Sequence, residues 1–535
     1  MTPGSRETMR LNHFACAAAL LAATAAALVP APAQAQTKTL RFVPHADLKI
    51  LDPGFTTAYI SRNFGYMVYD TLFALDGNGK PQPQMVDSYT RSQDGLAWTF
   101  VLRPGLKFSD GKDVTAADAV ASIERWAMRD PFGAALKNAG AQWAGIDAAT
   151  FRLSLKRPFE MVLDALSKPS SFALVVLPQR LAQRPTTAPL SEVVGSGPYL
   201  FKRDEWVPGN KTVFVRNPGY VPRKEPPSGL AGSKQAHFDR IEWLYLPDSN
   251  SAVAALRRGE VDFIESLPAD FIASMQTDPG MNLQSSGAYQ GQLVMNHLHP
   301  PFDNPKVRQA VLQAVDQERF MAAIGYPPNM RMAHCATYFI CGSPNETAAG
   351  AEPYRKADLA RARQMLRDAG YKNEKVLLLV PSDVTYLNAL ALVMQQTMKS
   401  IGLNVEPVSM DWSSVTARRA KRNAPDAGGW SAYATVANEF SANSPIANIY
   451  LSAACGNTLP GWPCDQRLDA LRAAWLYETA PARRRQLLDD FQRRAYETVP
   501  YVSLGQYQAA SVARKELKGT DKLWAGIPNL WVLDK

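Results

Sequence analysis

The sequence predicts an α/β protein built on at least two cores. Three observations carry this reading. Strand-like and helix-like patterns alternate along the chain, with no internal repeat. "KVLLLVP" (375–381), "VTYLNALALVMQQTMKSIG" (384–402) and "LNVEPVSM" (403–410) follow one another as strand, helix and strand, and the unbroken apolar run in the first suits a strand covered on both faces of a parallel sheet. Near residue 290 the pattern changes, from strand-rich segments with long loops to well-formed helices.

Length and composition agree. The chain has 535 residues, 46% of them hydrophobic, enough for two or three domains at roughly 150 residues each. The formal net charge is +9. The basic residues are scattered, and the densest groups, "ARRAKR" (417–422) and "ARRR" (482–485), fall in helical segments where they read as solvated helix faces. No RNP-type motif, zinc finger or basic tail accompanies them, so nucleic acid is not an expected partner.

Residues 1–35 read as a signal peptide. Arg6 and Arg10 precede the apolar "ACAAALLAATAAALVP" (15–30), and "APAQA" (31–35) supplies an A-x-A cleavage pattern. The mature chain would start near Gln36, with Met9 an alternative start codon. Cys16 lies at the front of the apolar run, so lipidation is not expected. No twin arginine is present, and Sec export to the periplasm follows. No later run reaches the roughly 20 apolar residues that a membrane-spanning helix needs. Export permits disulfides. Four cysteines remain, Cys335, Cys341, Cys455 and Cys464. They allow three pairings, of which the local pairs Cys335–Cys341 and Cys455–Cys464 are the simplest. Neither pair has the C-x-x-C spacing of a redox or zinc motif.

Taken in order, "TLRFVP" (39–44) alternates like a strand. "AWTFVLRPGLKFSDG" (97–111) reads as a strand, a Pro-Gly turn and a second short strand. In "VTAADAVASIERW" (114–126) Thr115 is placed to cap a helix, and Asp118 completes a capping box. "ATFRLSLKRP" (149–158) is a strand, and "GSGPYLFKRDEW" (195–206) and "NKTVFVRNPGY" (210–220) form a strand pair. "SNSAVAALRRGEVDFIE" (249–265) is a helix stopped by Gly259 and followed by a short strand. After the strand "GQLVMNHL" (291–298), "DNPKVRQAVLQAVDQERFMAAI" (303–324) predicts one helix. Pro305 suits its first position, and Val307, Ala310, Val311, Ala314 and Val315 supply its apolar stripe. Further helices are expected over 357–370, ended by Gly370, and over 481–500.

Motifs of catalysis are missing from the sequence: no G-x-S-x-G, H-E-x-x-H, Walker A or complete G-x-G-x-x-G occurs. There are six histidines. His297 and His299 stand two apart, hence on one face if the segment is a strand, a spacing that suits either a metal or a strand end before Pro300-Pro301.

Four segments carry a resemblance to a known family. "WTFVLRPGLKFSDGKDVTAADAVASIER", "GSGPYLF", "AALRRGEVDFI" and "PPFDNPKVRQAVLQAVD" resemble, in order and separation, the solute-binding proteins of ABC importers in the oligopeptide, dipeptide and nickel class, family 5 of the bacterial extracellular solute-binding proteins. The resemblance runs from about residue 40 to 515. It implies a bilobed periplasmic-binding-protein fold with two mixed-sheet lobes and a hinge. Lobe I would span 36–288 and 506–535, with an extra subdomain near 76–190, and lobe II 289–505. Such a protein is a periplasmic, monomeric, non-enzymatic subunit that closes around a solute and docks on permease subunits with their ATPases. No cofactor is implied.

By position in the family pattern, Thr56, Thr57 and Tyr59 would stand at the cleft entrance, Tyr289 and Asn296 near the crossing, and Trp430, Ser431 and Tyr433 in the lobe II wall. The plain alternatives are that the threonines cap turns, that Tyr289 and Asn296 pack the hinge and that Trp430 belongs to the core. Peptide-binding members carry an aspartate three residues after the Gly-Trp tryptophan, where it pairs with the ligand's α-amino group. Tyr433 stands there in this chain. A buried ammonium without a counter-charge is costly, so the resemblance implies a peptide-like, opine-like or other amphipathic solute rather than an ordinary free peptide. "CGNTLPGWPC" (455–464) matches a disulfide loop common after this wall. Two rival readings are a metal–chelate or haem carrier of the same fold, using His297, His299 or His334, and, remotely, a secreted hydrolase.

Overall fold

A computed structural model of the chain describes Met1 and residues 37–456, 459–524 and 526–535; the expected signal peptide, but for Met1, lies outside the described residues. The alternating segment near the start forms β1 (Thr39–Val43). A hairpin of β2 (Phe73–Leu75) and β3 (Pro81–Pro83) leads into a separate four-stranded antiparallel sheet. That sheet contains β4 (Val86–Arg91), β5 (Ala97–Leu102), β6 (Gln142–Gly145) and β7 (Thr150–Ser154), in the order β4-β5-β7-β6. Its helix, Ala116–Ala127, starts with the expected capping box: the Thr115 backbone N–H and hydroxyl both donate to Asp118, at 2.8 and 2.7 Å. The second strand expected after Pro104-Gly105 is reduced to a single bridge, Lys107 to Asp113.

The first lobe continues with β8 (Tyr199–Phe201), β9 (Lys211–Arg216), β10 (Arg240–Leu244) and β11 (Phe263–Ile264). A long strand, β12 (Met281–Met295), then leaves it for the second lobe. There β13 (Lys375–Pro381), the helix Thr385–Ser400 and β14 (Asn404–Met410) make the expected parallel unit. β13 is buried along six of its seven residues. β14 tolerates Pro407 because it is an edge strand and has no second ladder to donate to. β15 (Ala432–Asn438) lies between β13 and β12, and β16 (Val502–Arg514) returns the chain to the first lobe. The result is a bilobed α/β fold on one ten-stranded mixed sheet, ordered β14-β13-β15-β12-β16-β11-β1-β10-β9-β8.

β12 and β16 are the only strands in that order that serve both lobes. Residues 289–295 of β12 pair with β15, while Val512 and Ala513 of β16 pair with β11. The two strands pair with each other from Met281/Arg514 to Leu293/Val502, with register shifts between Ser285 and Ala288 and between Gly291 and Gln292. Such bulges bend and twist a ladder locally. Gly287, at φ +86°, and Gly505, at φ +112°, supply the left-handed backbone at these two points.

Two expectations need correction. The helix expected over 303–324 is two helices, Pro305–Gln313 and Gln317–Ala323. The apolar stripe is real, since Val307, Ala310, Val311, Ala314 and Val315 are all buried. The break comes because Asp316 takes an extended conformation (φ −98°, ψ 101°) and begins a new helix. The strand expected over 291–298 ends at Met295 and begins ten residues earlier than expected, at Met281. His297 and His299 therefore lie in the turn beyond it and do not share a strand face.

Gly505→Ala is expected to destabilise the fold by roughly 1–3 kcal/mol. The added Cβ would meet Met321 Cγ at 2.7 Å on a backbone that alanine avoids. Chemical denaturation of the variant should show a lower midpoint with an unchanged slope.

Candidate functional site

The lobes meet face to face beside the β12–β16 crossing and enclose two adjoining cavities. The empty space between atoms there is about 660 and 560 Å³, a figure that includes solvent at the open mouths. His45, Tyr59 and Tyr386 line both. Tyr59 opens the helix Tyr59–Val68 of the first lobe, and Tyr386 lies in the first turn of the helix Thr385–Ser400 of the second. Each lobe thus aims the start of a helix at the shared space.

The first cavity is a tyrosine cage. Tyr59, Tyr289, Tyr326, Tyr386 and Tyr507 line it with Trp524. The bulge before Ala288 sets Tyr289 against Tyr507, with ring centroids 5.8 Å apart and nearly parallel planes, and Tyr326 meets Tyr507 at 5.0 Å. Rings held this way present flat apolar faces with polar tips. Burial pushes the Tyr59 and Tyr289 hydroxyls above the ordinary tyrosine range, so they remain protonated donors. The polar end is formed by Glu265, Arg62 and His45. Glu265 accepts from His45 Nδ1 at 2.7 Å, from the His45 backbone N–H at 2.9 Å and from Asn63 Nδ2 at 2.7 Å. Burial works to raise the Glu265 carboxyl, but His45 and these hydrogen bonds overcome it and hold it below the usual glutamate range. Arg62 donates to Gly526 O at 2.6 Å, to Ser170 Oγ at 3.1 Å and to Asn63 Oδ1, and it lies 4.3 Å over the Tyr59 ring.

The second cavity ends at Arg419. This side chain follows the helix Trp412–Arg418, and Trp412, Val415, Thr416 and Arg419 share its buried face. Arg419 is 5% exposed. Its Nη2 donates across to Thr57 Oγ1 of the first lobe at 2.6 Å, and its Nη1 to the Tyr450 hydroxyl at 3.2 Å. The guanidinium lies 5.5 Å from the Trp412 ring centroid and 5.4 Å from that of Tyr433. The reading of "ARRAKR" as a solvated face thus fails at this residue. Ala417, Lys421 and Arg422 are exposed, but Arg419 falls seven residues after Trp412, on the apolar stripe.

The residues expected at the site separate into two groups. Thr57, Tyr59 and Tyr289 line the cavities. Thr56 does what a turn threonine does, its hydroxyl accepting from the Ala58 N–H at 3.2 Å. Asn296, Trp430, Ser431 and Tyr433 lie behind the wall. Asn296 donates to Trp430 O at 2.9 Å, and the Ser431 hydroxyl accepts from the Leu377 N–H at 2.9 Å. Trp430 is fully buried between Tyr433 and Trp462, and its indole N–H donates to the Arg419 carbonyl at 3.0 Å. Its part is to anchor the backbone that carries Arg419. Tyr433 is fully buried too, with its hydroxyl 3.1 Å from that of Tyr450. Beyond it on the same strand, Thr435 and Ala437 reach the cavity.

The histidines do not converge. His297 is half-buried, and burial with the nearby Arg308 holds its imidazole well below the ordinary histidine range; His299 Nε2 lies 2.9 Å from Arg422 O, while His334 lines a separate small cavity. Among the described residues no three His, Cys, Asp or Glu side chains gather as metal ligands, and no helix is long and apolar enough to cross a membrane. The sulfur atoms of Cys335 and Cys341 lie 2.04 Å apart and those of Cys455 and Cys464 1.94 Å, so both local pairs are placed for disulfides.

A bilobed α/β chain whose lobes meet over cavities lined from both sides has the architecture of a solute-binding protein. Residues 80–456 match the model of bacterial extracellular solute-binding proteins, family 5, and the chain belongs to that family of solute-binding transport proteins. It is 35% identical over 526 residues to a "probable peptide ABC transporter periplasmic-binding protein" of Sinorhizobium fredii, covering 96% of this chain and 98% of the relative. It is 28% identical over 488 residues to the glutathione-binding protein of Escherichia coli, covering 88% and 89% of the two chains. Among solved structures it is similar to AgaA of A. tumefaciens R10 in complex with agropinic acid, with 25% identity, a TM-score of 0.75 and coverage of 92% and 96%.

Tyr59 ties the lobes together: its hydroxyl accepts from the Asn438 N–H at 2.9 Å and donates to Ser441 Oγ at 3.3 Å. Tyr59→Phe leaves the Asn438 donor unpaired, a cost of about 1–3 kcal/mol that falls on the closed arrangement. Small-angle scattering of solute-free protein should show a larger radius of gyration for the variant. A lower melting temperature with unchanged dimensions would count against the cross-lobe role.

Proposed function

We propose that the protein is the periplasmic solute-capturing subunit of an ABC importer of the peptide class, exported through the Sec route as a soluble monomer with disulfides Cys335–Cys341 and Cys455–Cys464. The hinge lies where β12 and β16 cross, with lobe I over 36–288 and 506–535, its subdomain near 76–190, and lobe II over 289–505. The observation that carries this reading is the tyrosine cage closed from both sides: Tyr59 and Trp524 come from one lobe, Tyr386 from the other, and Tyr289 and Tyr507 from the strands that join them. A solute held there touches both lobes only when they meet, so its binding energy favours the closed form that a permease and its ATPases would recognise.

The solute is peptide-like or otherwise amphipathic, with an apolar part that stacks on the rings and polar groups that meet the hydroxyls. The probable peptide ABC transporter periplasmic-binding protein of Sinorhizobium and the glutathione-binding protein of Escherichia, both similar to this chain, support this class. An ordinary free peptide fits less well. Tyr433 occupies the place of the expected acid, and Glu265, the carboxylate that lines the first cavity, is already engaged by His45 and Asn63.

Native mass spectrometry of the protein as purified should find one small organic molecule per chain. Adding that molecule back to solute-free protein at about 100 times its dissociation constant should stabilise the fold by about 2.7 kcal/mol, with no turnover. Tyr289→Ala should reduce the effect at least tenfold. Chemical conversion of the molecule by the protein would overturn the reading in favour of an enzyme.

A further inference from the structure

Three arginines of this chain are buried without a carboxylate partner within ion-pair distance among the described residues, and they differ in what satisfies them. Arg308 donates to the carbonyls of Phe302, Asp303, Thr498 and Val499. Arg62 has the Gly526 carbonyl, the Asn63 and Ser170 side chains and the nearby charge of Glu265. Arg419 is met by hydroxyls, those of Thr57 and Tyr450, and by the faces of Trp412 and Tyr433. A hydroxyl carries no charge and can turn its proton toward an arriving anion as readily as its lone pair toward the guanidinium. No Asp or Glu lines the second cavity. The positive charge therefore faces an enclosed space with nothing to neutralise it, an arrangement that costs stability unless something supplies the negative charge.

We propose that Arg419, with the hydroxyls of Thr57 and Tyr450, forms an anion-recognition site at the inner end of the second cavity, and that the transported solute enters there carboxylate first. This deepens the solute-capture reading and rests on it. The geometry favours a carboxylate over a more highly charged group. One guanidinium matches one negative charge, and the other positive candidate on the wall, His45, is already bound to Glu265. A planar carboxylate takes two parallel bonds from a guanidinium. The Trp412 ring closes the site beside it. The site spans the lobes, because Thr57 belongs to the first and Arg419 to the second, so filling it would favour closure. It also inverts the polarity of the wall. Where peptide-binding relatives present an acid to an ammonium, this chain sets Tyr433 against an arginine.

The test uses the full mature protein freed of retained solute, with sodium acetate as the probe and acetamide and sodium chloride as controls at matched ionic strength. Acetate should raise the melting temperature saturably, while acetamide and chloride should not. Arg419→Met should weaken the acetate response at least tenfold, Arg419→Lys should retain part of it, and Thr57→Val, which leaves the arginine in place, should weaken it several-fold. Circular dichroism establishes that each variant is folded. If Arg419→Met does not fold, the Thr57→Val and Arg419→Lys results decide. Equal responses to acetate, acetamide and chloride, or an unchanged response in the folded variants, would overturn the site. Tighter binding of inorganic phosphate than of acetate would overturn the carboxylate assignment. Native mass spectrometry separates the two readings: a retained neutral solute without an acetate response leaves solute capture standing and removes the anion site. An acetate response in a protein that retains and binds no organic solute would do the reverse.

Discussion

The architecture depends on one shared ladder. β12 and β16 are paired to each other along most of their lengths, and each is the point of attachment for a different set of strands. Backbone groups in a ladder must stay paired when buried, so the two lobes cannot separate without keeping these bonds. What remains free is bending, and the ladder bends at its irregularities. The register shift between Ser285 and Ala288 interrupts the pairing at the boundary between the two sets, with Gly287 in left-handed backbone beside it. The same shift turns Tyr289 toward Tyr507 and the cavity. One local feature thus shapes both the ladder and the cavity wall, which places the tyrosine cage beside the strands that join the lobes.

The contacts between the lobes are individually weak. Lys49 meets Asp411 at 2.8 Å, but both side chains are about two-fifths exposed, at 44% and 39%, and such pairs contribute at most about 1 kcal/mol. The Tyr245 hydroxyl donates to Asp383 at 2.9 Å, and that of Tyr477 to Ala135 O at 2.8 Å. Phe440 and Trp524 pack with centroids 4.2 Å apart. Interactions of this kind add roughly 0.5–1.5 kcal/mol each. A solute that touches both sides would add its own contacts to these.

The sequence made the scaffold legible and much of the site illegible, for physical reasons. Scaffold signals are local. The run Val376–Val380 marks a strand buried on both faces, and Thr115 with Asp118 marks a helix start three residues long. The cavity is assembled from His45, Tyr59, Glu265, Tyr386, Arg419 and Tyr507, residues spread over more than four hundred positions, and no spacing along the chain relates them. Position within the family pattern found the right strand and face at Tyr433, but the residues of that face that line the cavity are Thr435 and Ala437. Trp430 illustrates the difficulty. Its large ring and the two glycines before it suggest a cavity wall, yet the indole packs between Tyr433 and Trp462 and holds the Arg419 backbone. One local signal was present for Arg419 itself: it continues the stripe Trp412, Val415, Thr416 at helical spacing, whereas Lys421 does not.

The buried charges of the first lobe show why that arginine stands apart. Arg125 pairs with Asp52 at 3.0 Å, Lys234 with Asp70 at 2.7 Å and Lys168 with Asp130, all six side chains 6% exposed or less. These pairs have their own hydrogen bonds as well: Asp52 accepts from the Leu190 N–H, Asp70 from the Tyr220 hydroxyl and Asp130 from the Phe132 N–H. They are complete without a ligand and belong to structure. A chain that neutralises these three buried cations internally leaves Arg419 on a cavity wall among hydroxyls and aromatic faces, with no carboxylate within ion-pair distance among the described residues. Removing a partner from a buried charge costs roughly 3–5 kcal/mol. Under the proposed entry of the solute carboxylate first, a negative charge brought to Arg419 would offset part of that cost where the lobes meet.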